Sequence, residues 1–207
     1  MRTGGEGIVG GRRDGAATRK RAQRVALELF STQGYEATSM RQIGDALGIN
    51  KASLYYHFDG KEAIVQSLLG QRGDEAEALL TWVREQPPTP DLLGAAVLRW
   101  VDSFTQEKLQ GIRFLAANPL LLAGLTRNND EPRIGAALTQ IADELNPLLP
   151  DRTPENVVLL RMALLSINAA VQAAATSDAP DADVIAAARQ AARLIIRGLS
   201  PTLPAER

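Results

Sequence analysis

Lys51, Ser53, Tyr56 and His57 place four side-chain hydrogen-bond donors in seven residues, with Leu54 and Phe58 repeating at i, i+4 among them. On a helix Leu54 and Phe58 share one face and anchor it inward, leaving the polar groups on the outward side. A short helix with an apolar anchor and an outer row of donors suits a DNA major groove, where side chains meet base edges and phosphates. Catalysis is the other chemistry His57 could serve. It is the only histidine and the chain has no cysteine, so it has no companion for a metal centre or a nucleophile pair, and a phosphate hydrogen bond is the reading its position supports.

The elements that must hold this helix are legible around it. Met40, Ile43 and Leu47 fall on one side of a preceding helix, Gly48 breaks it, and Asn50 starts the next. Gly44 has no side chain where the two helices cross, and Gly48 can take the positive φ of a tight turn. Thr38 or Ser39 caps the first of the pair, and an exposed backbone N–H there suits a phosphate. Behind them, Ala17 to Gln33 reads as an amphipathic helix through Ala22, Val25, Ala26, Leu29 and Phe30, with Thr18 as its N-cap and Gly34 ending it in the left-handed region. Tyr35 and Ala37 then return the chain to the core. This is a helix-turn-helix arrangement.

With Gly34-Tyr35 closing that helix, then ATSMRQIGDALGI, KASLYYHF and KEAI, the region from about Thr18 to Leu69 resembles the DNA-binding head of the TetR family of bacterial repressors. The resemblance covers the first third of the chain and is only architectural beyond Leu69. It implies a DNA-contacting set of Thr38, Ser39, Arg41, Asn50, Lys51, Ala52, Ser53, Tyr55, Tyr56, His57 and Lys61. Within that set it puts Lys51 and Ser53 near base edges, Lys61 on a phosphate, and the ring edges of Tyr55 and Tyr56 on the sugar-phosphate backbone. Adjacent residues point about 100° apart on a helix, so the two tyrosines cannot share one buried site, and a core role for Tyr55 stays open. Glu62 is explained by the positive end of its helix dipole. Two positions depart from the family pattern. Gly44 stands where Ala is usual, at about 1 kcal/mol of helix propensity, and Asn50 stands where Ser is common, either being a competent cap.

Composition bounds the rest. The 207 residues leave room for this head and one larger domain, and a surplus of Ala and Leu with 4% aromatics favours helices throughout. The formal charge is −1, yet Arg19, Lys20, Arg21, Arg24, Arg41, Lys51 and Lys61 gather at the front, as a local phosphate footprint requires. No apolar stretch reaches a membrane span and no leader-like segment opens the chain, so a soluble cytoplasmic protein without cofactor is expected. Residues 1–15, MRTGGEGIVGGRRDG, read as a flexible basic arm whose Arg12 and Arg13 either reach a minor groove or do nothing.

The expected organisation is an arm (1–15), a three-helix DNA-binding domain (16–62), a helical ligand-binding and dimerisation domain (63–200) and a tail (201–207), all-α, with about nine helices in total. A long helix from about Lys61 to Arg84 joins the two domains; by resemblance, movement at its far end reaches the head. After the stiff QPPTP break, Asp91 is read as the cap of a helix carrying Leu93, Val97, Trp100, Val101 and Phe104. Gly111 ends that run, Asn118-Pro119 interrupts the next, 127–132 is a polar loop, and Ile134, Leu138, Ile141 and Leu145 mark another helix. Trp100, Phe104, Phe114, Leu121, Leu125, Met162 and Asn168 are candidates to line an effector cavity, each equally explained as core. Asn168 stands out as an amide in an apolar helix, where it needs a hydrogen-bond partner. Thr153-Pro154-Glu155 starts a helix expected to run to about Thr176, apolar nearly all round, and Ala182 to Leu199 forms the last. Together they read as half of a four-helix bundle completed by a second copy, through Leu160, Leu164, Ile167, Val171, Ala188, Ala192, Ile195 and Leu199.

Three functions compete. One is a dimeric repressor released from a near-palindromic operator by a small apolar effector; another keeps the DNA and replaces the effector by a protein partner or by nothing. A helical enzyme is the remote third, since there is no GxSxG elbow and no Gly-rich phosphate loop followed by Lys-Ser or Lys-Thr.

Overall fold

The computed structural model describes the backbone of residues 8–126 and 133–199 and the side chains of 15–125 and 133–199. These residues form eleven α-helices and two 3-10 turns, with no strand among them, in keeping with the all-helical class read from the sequence. The chain divides into two compact units between Leu69 and Gly70.

The first unit holds α1 (Ile8–Gln33), α2 (Met40–Leu47), α3 (Lys51–His57) and the start of α4 (Lys61–Glu85). Its core is Ala22, Ala26, Leu27, Phe30, Met40, Ile43, Leu47, Leu54, Phe58, Ile64 and Val65, all under a tenth exposed. Removing that much apolar surface from water is what offsets the cost of ordering helices this short. Ile64 and Val65 tie the start of α4 to the head, and the Gln23 amide, buried in α1, donates to Ser67 Oγ at 2.8 Å. The head therefore extends past residue 62. α1 begins at Ile8, so the backbone of Ile8–Gly15, expected as a flexible arm, is helical. Adding a residue to an existing helix costs far less than nucleating one, which lets α1 run back through glycines. The side chains of Arg12 and Arg13, the polar loop 127–132 and the tail 201–207 lie outside the described residues.

The second unit continues α4 and adds α5 (Pro90–Asp102), α6 (Gln106–Ala117), α7 (Pro119–Thr126), α8 (Arg133–Leu145), α9 (Pro154–Leu164), α10 (Ser166–Ala173) and α11 (Asp181–Leu199). Its 3-10 turns are Asn146–Leu148 and Ala174–Thr176. The core joins Leu79, Leu80 and Val83 of α4 to Val97, Trp100 and Val101 of α5 and to the inner faces of α8 to α11. The cap of α5 is Thr89, with Pro90 at its first position and Asp91 in its first turn. Asp91 thus acts on the helix dipole rather than as the cap.

One expected helix is two. Between Thr153 and Thr176 the chain turns by 67° at Leu165, whose φ of −92° and ψ of 7° leave the helical well. The bend lets Leu160, Ala163 and Leu164 on one arm and Ile167 and Val171 on the other bury in the same core. It adds one helix to the expected count and corrects the dimer face. Leu160, Leu164, Ile167, Val171, Ala188, Ala192 and Leu199 are buried inside a single chain and Ile195 is half-buried, so these are core positions rather than a surface offered to a second copy. An apolar pattern alone does not say which neighbour covers it.

Candidate nucleic-acid interface

α2 and α3 are joined by a Schellman turn. Gly48, at φ 70°, donates its N–H to the Asp45 carbonyl at 3.1 Å, and Ile49 donates to Gly44 at 3.0 Å. A Cβ on Gly44 would stand 3.2 Å from the Ile49 carbonyl, so the missing side chain allows the chain to fold back tightly here. Asn50 caps α3, its Oδ1 accepting from Ser53 N–H at 2.7 Å. At the other end Arg19 of α1 donates to the His57 carbonyl at 2.8 Å, and its guanidinium lies over the Phe58 ring, 4.3 Å from the centroid. α3 is therefore held at both termini by side chains and along its inner face by buried Leu54.

What remains outward is the chemistry. Tyr56 is 88% exposed, Tyr55 41%, and Lys51, Ala52 and Ser53 are exposed beside them. The Lys51 ammonium sits 5.4 Å from the Tyr55 ring centroid, which orients the pair without burying either. His57 is half-buried, edge-on to Tyr56 with ring centroids 5.3 Å apart. Arg41 is exposed at the start of α2, with Asp45 3.7 Å away.

Other members of the expected set are occupied by the fold. Thr38 is buried, donating to the carbonyls of Gly34 at 2.8 Å and Leu29 at 3.3 Å, and so is a structural residue between α1 and α2. Ser39 is exposed, but its N–H donates to Gln42 Oε1 and its Oγ accepts from Gln42 N–H in a capping box, so the amide expected to meet a phosphate is engaged. Asn50 spends its side-chain carbonyl on the cap. Lys61 donates to the Tyr35 carbonyl at 2.6 Å and lies 4.5 Å from the Tyr35 ring centroid, fastening α4 to the turn after α1. Burial, then Glu62 and Glu36, push the Tyr35 phenol up to about 12. Arg19 is the residue that spacing could not assign: it stands 38 positions before the carbonyl it holds.

The candidate effector residues scatter. Trp100 and Phe104 are buried edge-to-face, centroids 5.3 Å apart, and Phe114 is buried, whereas Leu121 and Leu125 are half-buried. Met162 is 52% exposed and Asn168 is exposed as well, so neither faces the core that holds Trp100. An amide in a helix covered on every side would need a protein partner; at the surface, where Asn168 lies, water serves.

Residues 24–68 match the family model described as bacterial regulatory proteins, tetR family. Over 45 residues the chain is 49% identical to the HTH-type transcriptional repressor KstR2 of Rhodococcus jostii. Residues 24–68 are a TetR-type DNA-binding head. A TetR-type head is likewise shared with the biofilm operon icaADBC HTH-type negative transcriptional regulator IcaR of Staphylococcus aureus, 49% identical over 41 residues. These alignments span about a fifth of this chain and 22% of each relative's length. The TetR likeness continues as fold. The structure of ketosteroid transcriptional regulator KstR2 of Mycobacterium tuberculosis superposes with a TM-score of 0.60 at 18% identity, covering 88% of this chain and 95% of that one. A TetR-family regulator from Agrobacterium tumefaciens gives 0.58 at 18% identity, covering 90% and 100%.

Proposed function

We propose that the protein is a dimeric transcriptional repressor whose α3 enters the major groove of a near-palindromic operator, and whose second unit takes a small, largely apolar effector that releases the DNA. The observation that carries this reading is the outward face of α3: an exposed Tyr56, Lys51 and Ser53 on a seven-residue helix capped at one end by Asn50 and at the other by Arg19. Rigidly held donors lose little entropy on binding, and bidentate base contacts are each worth about 1 to 3 kcal/mol. One head supplies too few of them, so two copies on half-sites about 34 to 36 Å apart, or a multiple of that, are needed.

The surface available for pairing is the outer side of the last helices. Val158, Met162, Leu165 and Leu194 are each more than two-fifths exposed, and such a concentration of large apolar side chains suits a partner rather than water. An effector preferring one of two dimer states would act through α4, which starts in the head at Lys61 and ends at Glu85. Repression is supported by the names of the relatives sharing the head, KstR2 and IcaR. The test is footprinting of genomic DNA by the purified protein across a salt series. Protected inverted repeats whose occupancy falls steeply with salt are expected, because released counterions drive phosphate binding. No protected site at low salt would end the proposal.

A further inference from the structure

Arg72 of α4 is a cation placed in an apolar core. Its side chain is 13% exposed, and its guanidinium lies over two rings at once, 4.3 Å from the Trp100 centroid and 4.1 Å from that of Phe104. Nη1 pairs with Glu75 Oε2, one turn along the same helix. Glu75 Oε1 is in turn 2.9 Å from the Lys108 ammonium, which also donates to the Ser103 carbonyl at 2.8 Å. Nη2 is fully buried and meets no acceptor among the described residues. Burial pushes the Arg72 pKa down, with the Glu75 carboxylate opposing that shift.

The charges do not balance. Two cations share one carboxylate, so the cluster carries a net charge of +1 against aromatic walls. A buried donor left without an acceptor forfeits the water it gave up on folding, and a buried charge without a full counter-charge costs more. A hydrophobic residue of similar size would fill the same space without either cost. Both deficits are met by one group: an acceptor oxygen bearing a single negative charge. A neutral carbonyl would satisfy Nη2 and leave the charge, and a dianion would overshoot it. Nη1 is committed to Glu75, so one oxygen is taken rather than a bidentate pair, and the Trp100 and Phe104 rings require that the rest of the molecule be apolar.

We infer that the effector of this protein is an apolar monocarboxylic acid whose carboxylate accepts from Arg72 Nη2 beside Trp100 and Phe104. This rests on the effector reading above and adds to it a charge class, which apolar lining residues alone could not specify. Glu75 and Lys108 are positioning residues: one fixes the guanidinium and the other prevents Glu75 from neutralising it completely.

The experiment titrates the full-length protein with dodecanoate and phenylbutyrate, each beside its primary amide, by calorimetry. At least one acid is expected to bind about tenfold or more tightly than its amide, the contrast one charge-assisted hydrogen bond provides. Arg72→Gln should erase that preference while leaving amide affinity within about twofold, and Arg72→Lys should keep part of it. Amides that match their acids, or a preference that survives Arg72→Gln, would overturn the inference while leaving an effector site in place. Binding of neither class would overturn it together with the effector reading. Should Arg72→Gln lose its helical circular dichroism, the acid-to-amide ratio of the unmodified protein decides alone.

Discussion

Lys51→Ala and Thr38→Ala should fail in different ways, because one side chain faces outward and the other is spent inside the head. Removing Lys51, or Tyr56, should weaken operator binding by about 1 to 3 kcal/mol with the thermal midpoint unchanged. Removing the Thr38 hydroxyl takes a donor away from the Gly34 and Leu29 carbonyls and should lower the midpoint, at about 1 to 3 kcal/mol of stability, with affinity falling only as the fold does. Gel shift and thermal unfolding on the same samples separate the two. The outward set was legible in the sequence because Leu54 and Phe58 fix which way α3 faces, and every neighbour is then placed by 3.6 residues per turn. The occupation of Thr38 and Lys61 was not, because their partners are backbone carbonyls whose positions depend on how the chain returns after Gly34. Tyr35 supplies a pH test of that return. Burial pushes its phenol up to about 12 in the fold from an ordinary value of 10.0, so its contribution is whole below pH 10 and is lost as pH rises toward 12. Helix loss in that window should be blunted in Tyr35→Phe, as read by circular dichroism.

At the scale of elements, α3 is too short to persist alone and is maintained by what grips its ends. Arg19→Ala removes both the bond to the His57 carbonyl and the contact with Phe58. Faster amide exchange along α3 is expected, with weaker DNA binding. Arg19→Lys should restore little of the protection although it restores the charge, since an ammonium does not reproduce a planar group stacked on a ring. Equal exchange in all three proteins would show that Leu54 alone suffices. The helix-turn-helix was readable because each boundary carries its own chemistry: Ser39 and Asn50 at starts, Gly48 at a stop. The break between α9 and α10 was not, because Leu165-Ser166 contains neither proline nor glycine. What bends the chain there is the gain from burying both arms in one core, a long-range term that no local window contains.

For the molecule as a whole, that bend decides which residues remain for a partner. Leu165→Glu puts a charge on the exposed apolar side of α9 and should yield monomers by light scattering while leaving helicity intact; a dimer that persists would relocate the interface. The apolar character of the last helices was legible in the sequence; which of their faces the same chain covers was not, because that depends on the bend at Leu165. A last consequence belongs to α4. At the division between the two units it carries Gly70, and three residues on Gly73. Gly73 is spoken for, since a Cβ there would stand 3.1 Å from Arg133 Cβ, but a Cβ on Gly70 would touch nothing within 4 Å. Packing gives no reason for it. A methyl group there should stiffen the helix by about 1 kcal/mol, and a repressor carrying Gly70→Ala should need a different effector concentration to let go, measured by fluorescence anisotropy. A glycine that packing does not require lowers the helix propensity of α4 at the point where the two units divide, and the anisotropy titration reads whether that local weakness is felt at the DNA.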